Sequence, residues 1–272
     1  MNKQTPKFII NTNYNNKLTL EQVNNYLDYF KNINYSDDYK KYSKKLLEIL
    51  FQIHSDENGV AEGFFYNKST ATFRPGTLFY RVRPINQDVI PTLKNDVSQF
   101  WAPNKEIAKL NRLNLEGDPM LYVCYKNKKL PIIETNIEIN KHFILIEYKS
   151  IKDIKLRHIG QFYTPSNSNV IYYSHIKELF DAMNNFVIDL FTYKYPGIDY
   201  YNFTNGIKEE LFPLENNRGF LYPSAYNKNE YNVCFKPNVQ NAELDLKSVY
   251  HCILKGYDEK GIPDYSIESQ IL

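Results

Sequence analysis

The chain lacks most of the features that assign a function quickly. No run of about 18 apolar residues occurs, so no transmembrane helix is expected. The opening stretch MNKQTPKFIINTNYNN has no long apolar segment of the kind a secretory signal needs. Neither G-x-G-x-x-G nor G-x-x-x-x-G-K-[ST] is present, which argues against a Rossmann or P-loop enzyme. The three cysteines, Cys124, Cys234 and Cys252, are odd in number and show no metal spacing. The five histidines are scattered, with no His-x-x-x-His or Glu-x-x-His pair, so no metal is expected. Basic and acidic side chains nearly balance, 33 against 31, without the strongly basic footprint of a nucleic-acid binder. These absences point to a reducing, cytoplasmic setting, with neither nucleic acid nor membrane as a partner.

What is present is polar and aromatic. With 24 tyrosines in 272 residues, one tyrosine in a plausible place means little, and any site must rest on combinations. The length is large for one compact domain and small for two, and it suffices for a sizeable core. Residues 1 to about 70 read as helical. Thr19 and Gln22 have capping-box spacing, and Leu20, Val23, Leu27 and Phe30 follow at helical spacing. A second helix is expected from near Ser36, with Tyr42, Leu46, Ile49, Leu50 and Ile53 on one face, stopped by SDENG at 55–59. Such a pair is expected to form a helical hairpin or part of a small bundle that packs on the rest of the chain or on a partner.

The pattern changes after RPG at 74–76. TLFYRVR alternates as a strand, with Leu78, Tyr80 and Val82 on one side and Phe79, Arg81 and Arg83 on the other. MLYVCY and HFILIEY are further strands. SHIKELFDAMNNFVIDLFTYKY carries an apolar stripe through Ile176, Leu179, Phe180, Met183, Phe186, Val187, Leu190 and Phe191, capped by Ser174 and ended by Pro196-Gly197. GIDYY, GFLYPS and YNVCFKP read as short strands. Strands and helices do not alternate strictly, so the class is α+β, with a helical N-terminal region at 1–71 and a mixed α+β domain at 72–272.

Without a glycine-rich loop, a dinucleotide's pyrophosphate must be gripped by cations, and arginine does this with a bidentate fork. Arg81 and Arg83 share a strand face, where a charge is unexpected unless that face is solvated. RLNLEGDPMLYVCYKNKKLPIIETN, residues 112–136, then sets Arg112, Tyr122 and Glu134 in one run. Pro131 suits the first turn of a helix, and the carboxylate that follows Ile132 and Ile133 needs a partner or a task. Ser224 sits in FLYPSAY, where Pro223 and the flanking aromatics fix the backbone. Taken singly, each has an ordinary structural reading: a surface arginine, a core tyrosine, a turn serine.

In order and in context, FYRVRP, NRLNLEGDPMLYVC, IIE and GFLYPSAYNKNEYNVCFKP resemble the RES domain, a family named for an arginine, a glutamate and a serine. The resemblance spans about 75–240. It matches the family arginine to Arg81, the turn arginine to Arg112 with Asn114, the tyrosine to Tyr122, the glutamate to Glu134, the serine to Ser224 and the late asparagine to Asn232. Three departures stand out: Asn111 replaces the glycine usual before the turn arginine, Pro131 replaces a small alanine, and Arg83 competes with Arg81 for the first role.

The resemblance implies an ADP-ribosyltransferase-like fold, in which small mixed sheets form a cleft. It implies a toxin or defence effector that consumes NAD as a substrate, with no separate cofactor, and an antitoxin partner of the Xre type. Cleavage of the nicotinamide–ribose bond passes through an oxocarbenium-like ribose, which a carboxylate stabilises. Glu134 takes that role. Arg81 and Arg112 hold the pyrophosphate, Tyr122 walls the ribose, and Ser224 bonds near the reacting end. Asn114 and Asn232 complete the binding set, with Arg83 as the alternative arginine. The acceptor, whether water, phosphate or another molecule, stays open, as do ADP-ribosyl transfer to a specific target and a non-catalytic binding role.

Overall fold

Among the described residues, nine strands hydrogen-bond into one sheet, and TLFYRVR, MLYVCY, HFILIEY, GFLYPS and YNVCFKP each supply one of them. The computed structural model describes residues 19–32, 69–160, 174–194, 197–212, 214, 216–240 and 242–272, with isolated positions between 41 and 62. In chain order, α1 (Leu20–Lys31) is followed by the two-residue strands β1 (His54–Ser55) and β2 (Ala61–Glu62), which pair with each other, so the region expected to be helical to about residue 70 also contains a short strand pair. Then come β3 (Thr70–Phe73), β4 (Leu78–Pro84), the single turn α2 (Ile90–Leu93), β5 (Leu121–Tyr125), α3 (Leu130–Glu134), β6 (His142–Ser150) and β7 (Ile154–His158). The long helix α4 (Ser174–Thr192), α5 (Ile198–Leu211), β8 (Gly219–Pro223), β9 (Tyr231–Phe235), β10 (Leu244–Tyr257) and β11 (Pro263–Gln270) complete the chain.

The large sheet has the order β11-β10-β6-β4-β5-β9-β8-β7-β3, and every neighbouring pair is antiparallel except β7–β8. The architecture is thus α+β with one large sheet, where small separate sheets were expected. The reason is the joint between its halves. β4 pairs with β6 over all seven of its residues. It pairs with β5 only at Phe79↔Tyr125 and Tyr80↔Cys124, which is enough to join the halves into one ladder. Beyond Tyr80 the two strands part.

Side-chain alternation sorts the core onto the two faces. Leu121 and Val123 of β5 join Phe79, Ile144, Ile146, Tyr148 and Phe235 in a cluster on one face. On the other face, α1, α4 and α5 bury Val23, Leu27, Met183, Phe186, Leu190, Phe203 and Ile207 against Phe220, Tyr222 and Cys234. Further along that face, Ile132 of α3 packs on Tyr80, Val82, Leu145 and Cys252. Two helical groups therefore stand on one face, and the gap between them lies over the place where β4 and β5 part.

At the N-terminus the Thr19 capping box is in place. Thr19 Oγ1 accepts from the Gln22 amide at 3.2 Å, and Gln22 Oε1 accepts from the Thr19 amide at 2.9 Å. Val23 and Leu27 pack into the same core as α4, so α1 docks on the body of its own chain. Leu46, Ile49, Leu50 and Ile53 of the expected second helix lie outside the described residues. The boundary at 71/72 falls inside β3, which pairs with β7 at the edge of the large sheet.

One expected strand is corrected: GIDYY opens helix α5. Gly197 is the N-cap residue, and the buried Phe203 and Ile207, four apart, supply the helical stripe that the five-residue window misses. Among the described residues no helix is long and apolar enough to cross a membrane.

Candidate active site

A row of cross-strand neighbours forms the floor of the gap. Tyr80 faces Cys124, Cys124 faces Asn232, and Asn232 faces Tyr222. All four line a cavity of about 550 Å³, a size suited to a small-molecule ligand. The parted stretches of β4 and β5, Arg81 and Val82 against Tyr122 and Val123, line it too.

Glu134 stands on one wall. Pro131 occupies the first turn of α3, and Leu130, Pro131 and Ile132 are buried, which anchors the helix. Asn136, left-handed at φ 51°, ends it two residues after the glutamate. Glu134 is thereby fixed at the helix end and half-buried. Its Oε1 accepts from Ser224 Oγ at 2.5 Å and from Asn232 Nδ2 at 2.8 Å. Ser224 is fully buried in the turn after β8, and its Oγ accepts from the amides of Tyr226 (3.0 Å) and Asn227 (3.4 Å). With its lone pairs so engaged, the hydroxyl has its proton to give to the carboxylate. Asn232 Oδ1 in turn accepts from Cys124 Sγ at 3.0 Å. Burial, helped by the charges of Glu134 and Glu230, pushes the Cys124 thiol well above its ordinary range, so it remains a donor. Oε2 of Glu134 has no hydrogen bond among the described residues.

The opposite wall is the turn at Asn111–Asn114, closed by an isolated bridge between those two residues. Helix α5 clamps this turn from behind. Thr204 Oγ1 donates to the Arg112 carbonyl at 3.0 Å, Asn205 Nδ2 to the Asn111 carbonyl at 2.7 Å, and Lys208 Nζ to the Leu113 carbonyl at 3.2 Å. Thr204 and Asn205 are fully buried, which explains why two weak helix formers sit in mid-helix. Tyr122 Oη donates to Asn114 Oδ1 at 2.8 Å and accepts from the Leu113 amide at 3.1 Å. Burial raises the Tyr122 pKa well above its ordinary value, so the phenol stays neutral.

The arginines are held by the fold itself. Arg112 donates through Nη1 to the Phe191 carbonyl and through Nη2 to the Tyr193 carbonyl at 2.8 Å, capping the C-terminal end of α4. It still lines the cavity, and a guanidinium has five N–H groups to offer. Arg81 Nη1 donates to the Trp101 carbonyl at 2.6 Å. Arg83 Nη1 donates to Gln99 Oε1 at 2.7 Å, and it is not on the cavity wall. Burial, then the Arg81 charge, lowers the Arg83 pKa.

Of the residues singled out in the sequence, Arg81, Arg112, Tyr122, Glu134 and Asn232 meet at one cavity. Ser224 stands behind Glu134, and Asn114 behind Tyr122. Tyr80, Lys194, Tyr201, Tyr222 and Tyr226 also line it and were not singled out. Tyr80 and Tyr222 could have been found from strand alternation within FYRVR and FLYPS. Lys194, Tyr201 and Tyr226 carry no local signal. Among the described residues, no group of three or more His, Cys, Asp or Glu is placed to hold a metal.

The fold and the site together define an α+β protein whose sheet opens into a polar, tyrosine-lined cleft with a hydrogen-bonded glutamate on its wall. No family model matches the chain. It is similar to the CRISPR-associated endoribonuclease Cas13a of Leptotrichia wadei (strain F0279), at 23% identity over 215 residues, 79% of this chain. The chain spans only 17% of the length of that protein. Among solved structures it is similar to the M. tuberculosis MbcT–MbcA toxin–antitoxin complex, at a TM-score of 0.32 and 11% identity, over 67% of this chain and 86% of that one. A score that low assigns neither fold nor role.

Proposed function

We propose that the protein consumes NAD, breaking the nicotinamide–ribose bond in the cleft at Glu134. The observation that carries this reading is the carboxylate itself. One oxygen is fixed by Ser224 and Asn232, the other is uncommitted among the described residues, and the group lies on the wall of a cavity that also holds Arg112 and several tyrosines. As the C1′–N bond breaks, its electron pair leaves with nicotinamide and positive charge develops on the ribose. A fixed carboxylate beside that carbon stabilises the charge without having to reorganise. The two hydrogen bonds to Oε1 fix the orientation of the group. Water is the simplest acceptor, giving ADP-ribose.

The reading carries a biological expectation from the RES resemblance, that of a toxin restrained by an Xre-type antitoxin. Incubation of the full chain with NAD, followed by separation of products, tests the chemistry. Free nicotinamide with ADP-ribose is expected. Label retained on a macromolecule would mean transfer in place of hydrolysis, and an unchanged NAD pool would overturn the reading. Slow growth on expression, relieved by Glu134→Gln, tests toxicity. A labelled RNA assayed in parallel checks the activity named for the curated relative; RNA cleavage that survives Glu134→Gln would redirect the assignment.

A further inference from the structure

A second cavity, of about 580 Å³, abuts the first and among the described residues shares Lys194 and Ala225 with it. Its character differs. Phe186 and Leu190 of α4 and Tyr200 of α5 give it apolar walls, and Tyr193 lies with its ring 5.1 Å from that of Tyr200. Among the described residues its lining carries one ion pair, Lys228 Nζ to Asp189 Oδ1 at 2.8 Å. Apolar, aromatic walls with a few polar groups at the edge suit a flat heteroaromatic base better than a phosphate or a sugar.

The boundary between the cavities is cationic. Lys194 is exposed, its ammonium lies 4.4 Å from the centroid of the Tyr226 ring, and it has no carboxylate partner among the described residues. Arg112 reaches the same place, because its Nη2 bonds the carbonyl of Tyr193, the residue before Lys194. Both cations thus gather at the C-terminal end of α4. A ligand with two negative phosphates is drawn to this boundary and repelled from the Glu134 wall.

We propose that the two cavities form one dinucleotide site: the reacting ribose in the first, a purine base in the second, and the bridging pyrophosphate at Lys194. This deepens the NAD reading and rests on it for the identity of the reacting half. A nucleotide subsite in the second cavity stands on its own observations. Lys194 supplies a compact, mobile charge there, while the cation–π contact with Tyr226 holds it in reserve.

AMP, adenosine and nicotinamide riboside are the probes, titrated calorimetrically into the full chain. AMP is expected to bind, and saturating nicotinamide riboside, which carries no phosphate to compete at Lys194, to leave its affinity unchanged. Lys194→Ala is expected to weaken AMP about tenfold while sparing adenosine, as loss of one charge-assisted contact predicts. Lys228→Glu, which alters only the second cavity, is expected to weaken AMP by about the same factor, because it sets like charge against the phosphate. The proposal is overturned if AMP does not bind, if nicotinamide riboside displaces it, or if either variant leaves AMP affinity unchanged. If AMP behaves as expected while nicotinamide riboside does not bind and NAD is not cleaved, the nucleotide subsite stands and the NAD-cleavage reading fails.

Discussion

The two walls of the cleft are built on opposite plans. On the Glu134 wall, side chains hold one another: Cys124 to Asn232, Asn232 and Ser224 to Glu134, and backbone amides to Ser224. On the Arg112 wall, side chains hold backbone: Arg112 the end of α4, and Thr204, Asn205 and Lys208 the turn that carries Arg112. The first plan orients one charge and commits little of the fold to it. The second joins a charge to the helix packing, so that wall cannot be altered without touching stability. The difference warns against reading an arginine as a phosphate grip from sequence alone. All three candidate arginines bond backbone carbonyls of their own chain.

The comparison is broken most directly at Glu134. Glu134→Gln keeps the shape and an oxygen able to accept from Ser224 and Asn232, but removes the charge. A positioned electrostatic group is worth about 10² to 10³ in rate. The expected outcome is a loss of that order in NAD consumption with an unchanged thermal midpoint. A large fall in the midpoint would show that this wall too is structural.

Acid should act next, through the strand that delivers Ser224. β8 is paired with β7 through Arg157↔Phe220 and His158↔Leu221. His158 is buried edge-on to Tyr231, and burial alone lowers its pKa from 6.5 to about 4. The unfolded chain therefore binds one more proton than the folded chain between those values. Stability is full above about pH 6.5 and is lost as the pH falls toward 4, by at most about 3 kcal/mol from this group. Urea midpoints across that window should fall for the native chain, and with a smaller slope for His158→Phe. Equal slopes would assign the acid sensitivity to carboxylates.

Legibility followed locality. β4 is readable from its alternation, and β5, β6, β8 and β9 from short aromatic and aliphatic runs bounded by turns, which the sheet buries largely on both faces. α5 was misread because two adjacent tyrosines in a five-residue window favour a strand, and its helical stripe starts later. β3, β7, β10 and β11 gave no strand signal that was read. β11 is mostly exposed and polar, and β10 keeps its register only with bulges, which break the period. At the site, the FLYPSAY and IIE segments could be brought together only through the RES resemblance. Their hydrogen bond spans 90 residues, and no local rule reaches that far. Lys194 stayed hidden because its importance comes from two cavities meeting, which is tertiary information.

Arg112→Ala should sharpen the contrast from the other side. It removes two donors from the carbonyls at the end of α4 and a favourable charge from the negative end of the helix dipole. The expected cost is about 2 kcal/mol of stability, within the usual range for charged hydrogen bonds, together with weaker NAD binding. Lysine at this position should restore most of the dipole term but not the double contact, and so recover only part of the midpoint. Weaker binding with an unmoved midpoint would mean that the carbonyl contacts are incidental and that the guanidinium belongs to the ligand.

The smallest effect is expected at Cys124, and it tests how far the Glu134 wall depends on its outermost member. The thiol donates to Asn232 Oδ1, two steps from the carboxylate oxygen. A thiol is a weak donor, and Asn232 Nδ2 keeps its own bond to Glu134 without it. Cys124→Ser preserves a donor at nearly the same volume, and Cys124→Ala removes it. Serine should therefore leave NAD consumption within about twofold, and alanine should lower it by no more than about tenfold, the upper end of one neutral hydrogen bond. The same burial that keeps the thiol protonated should make it slow to alkylate at pH 8, compared with the urea-unfolded chain. Rapid alkylation in the folded state, blocked by NAD, would instead identify Cys124 as a reactive group of the cleft and extend that wall by a second functional side chain.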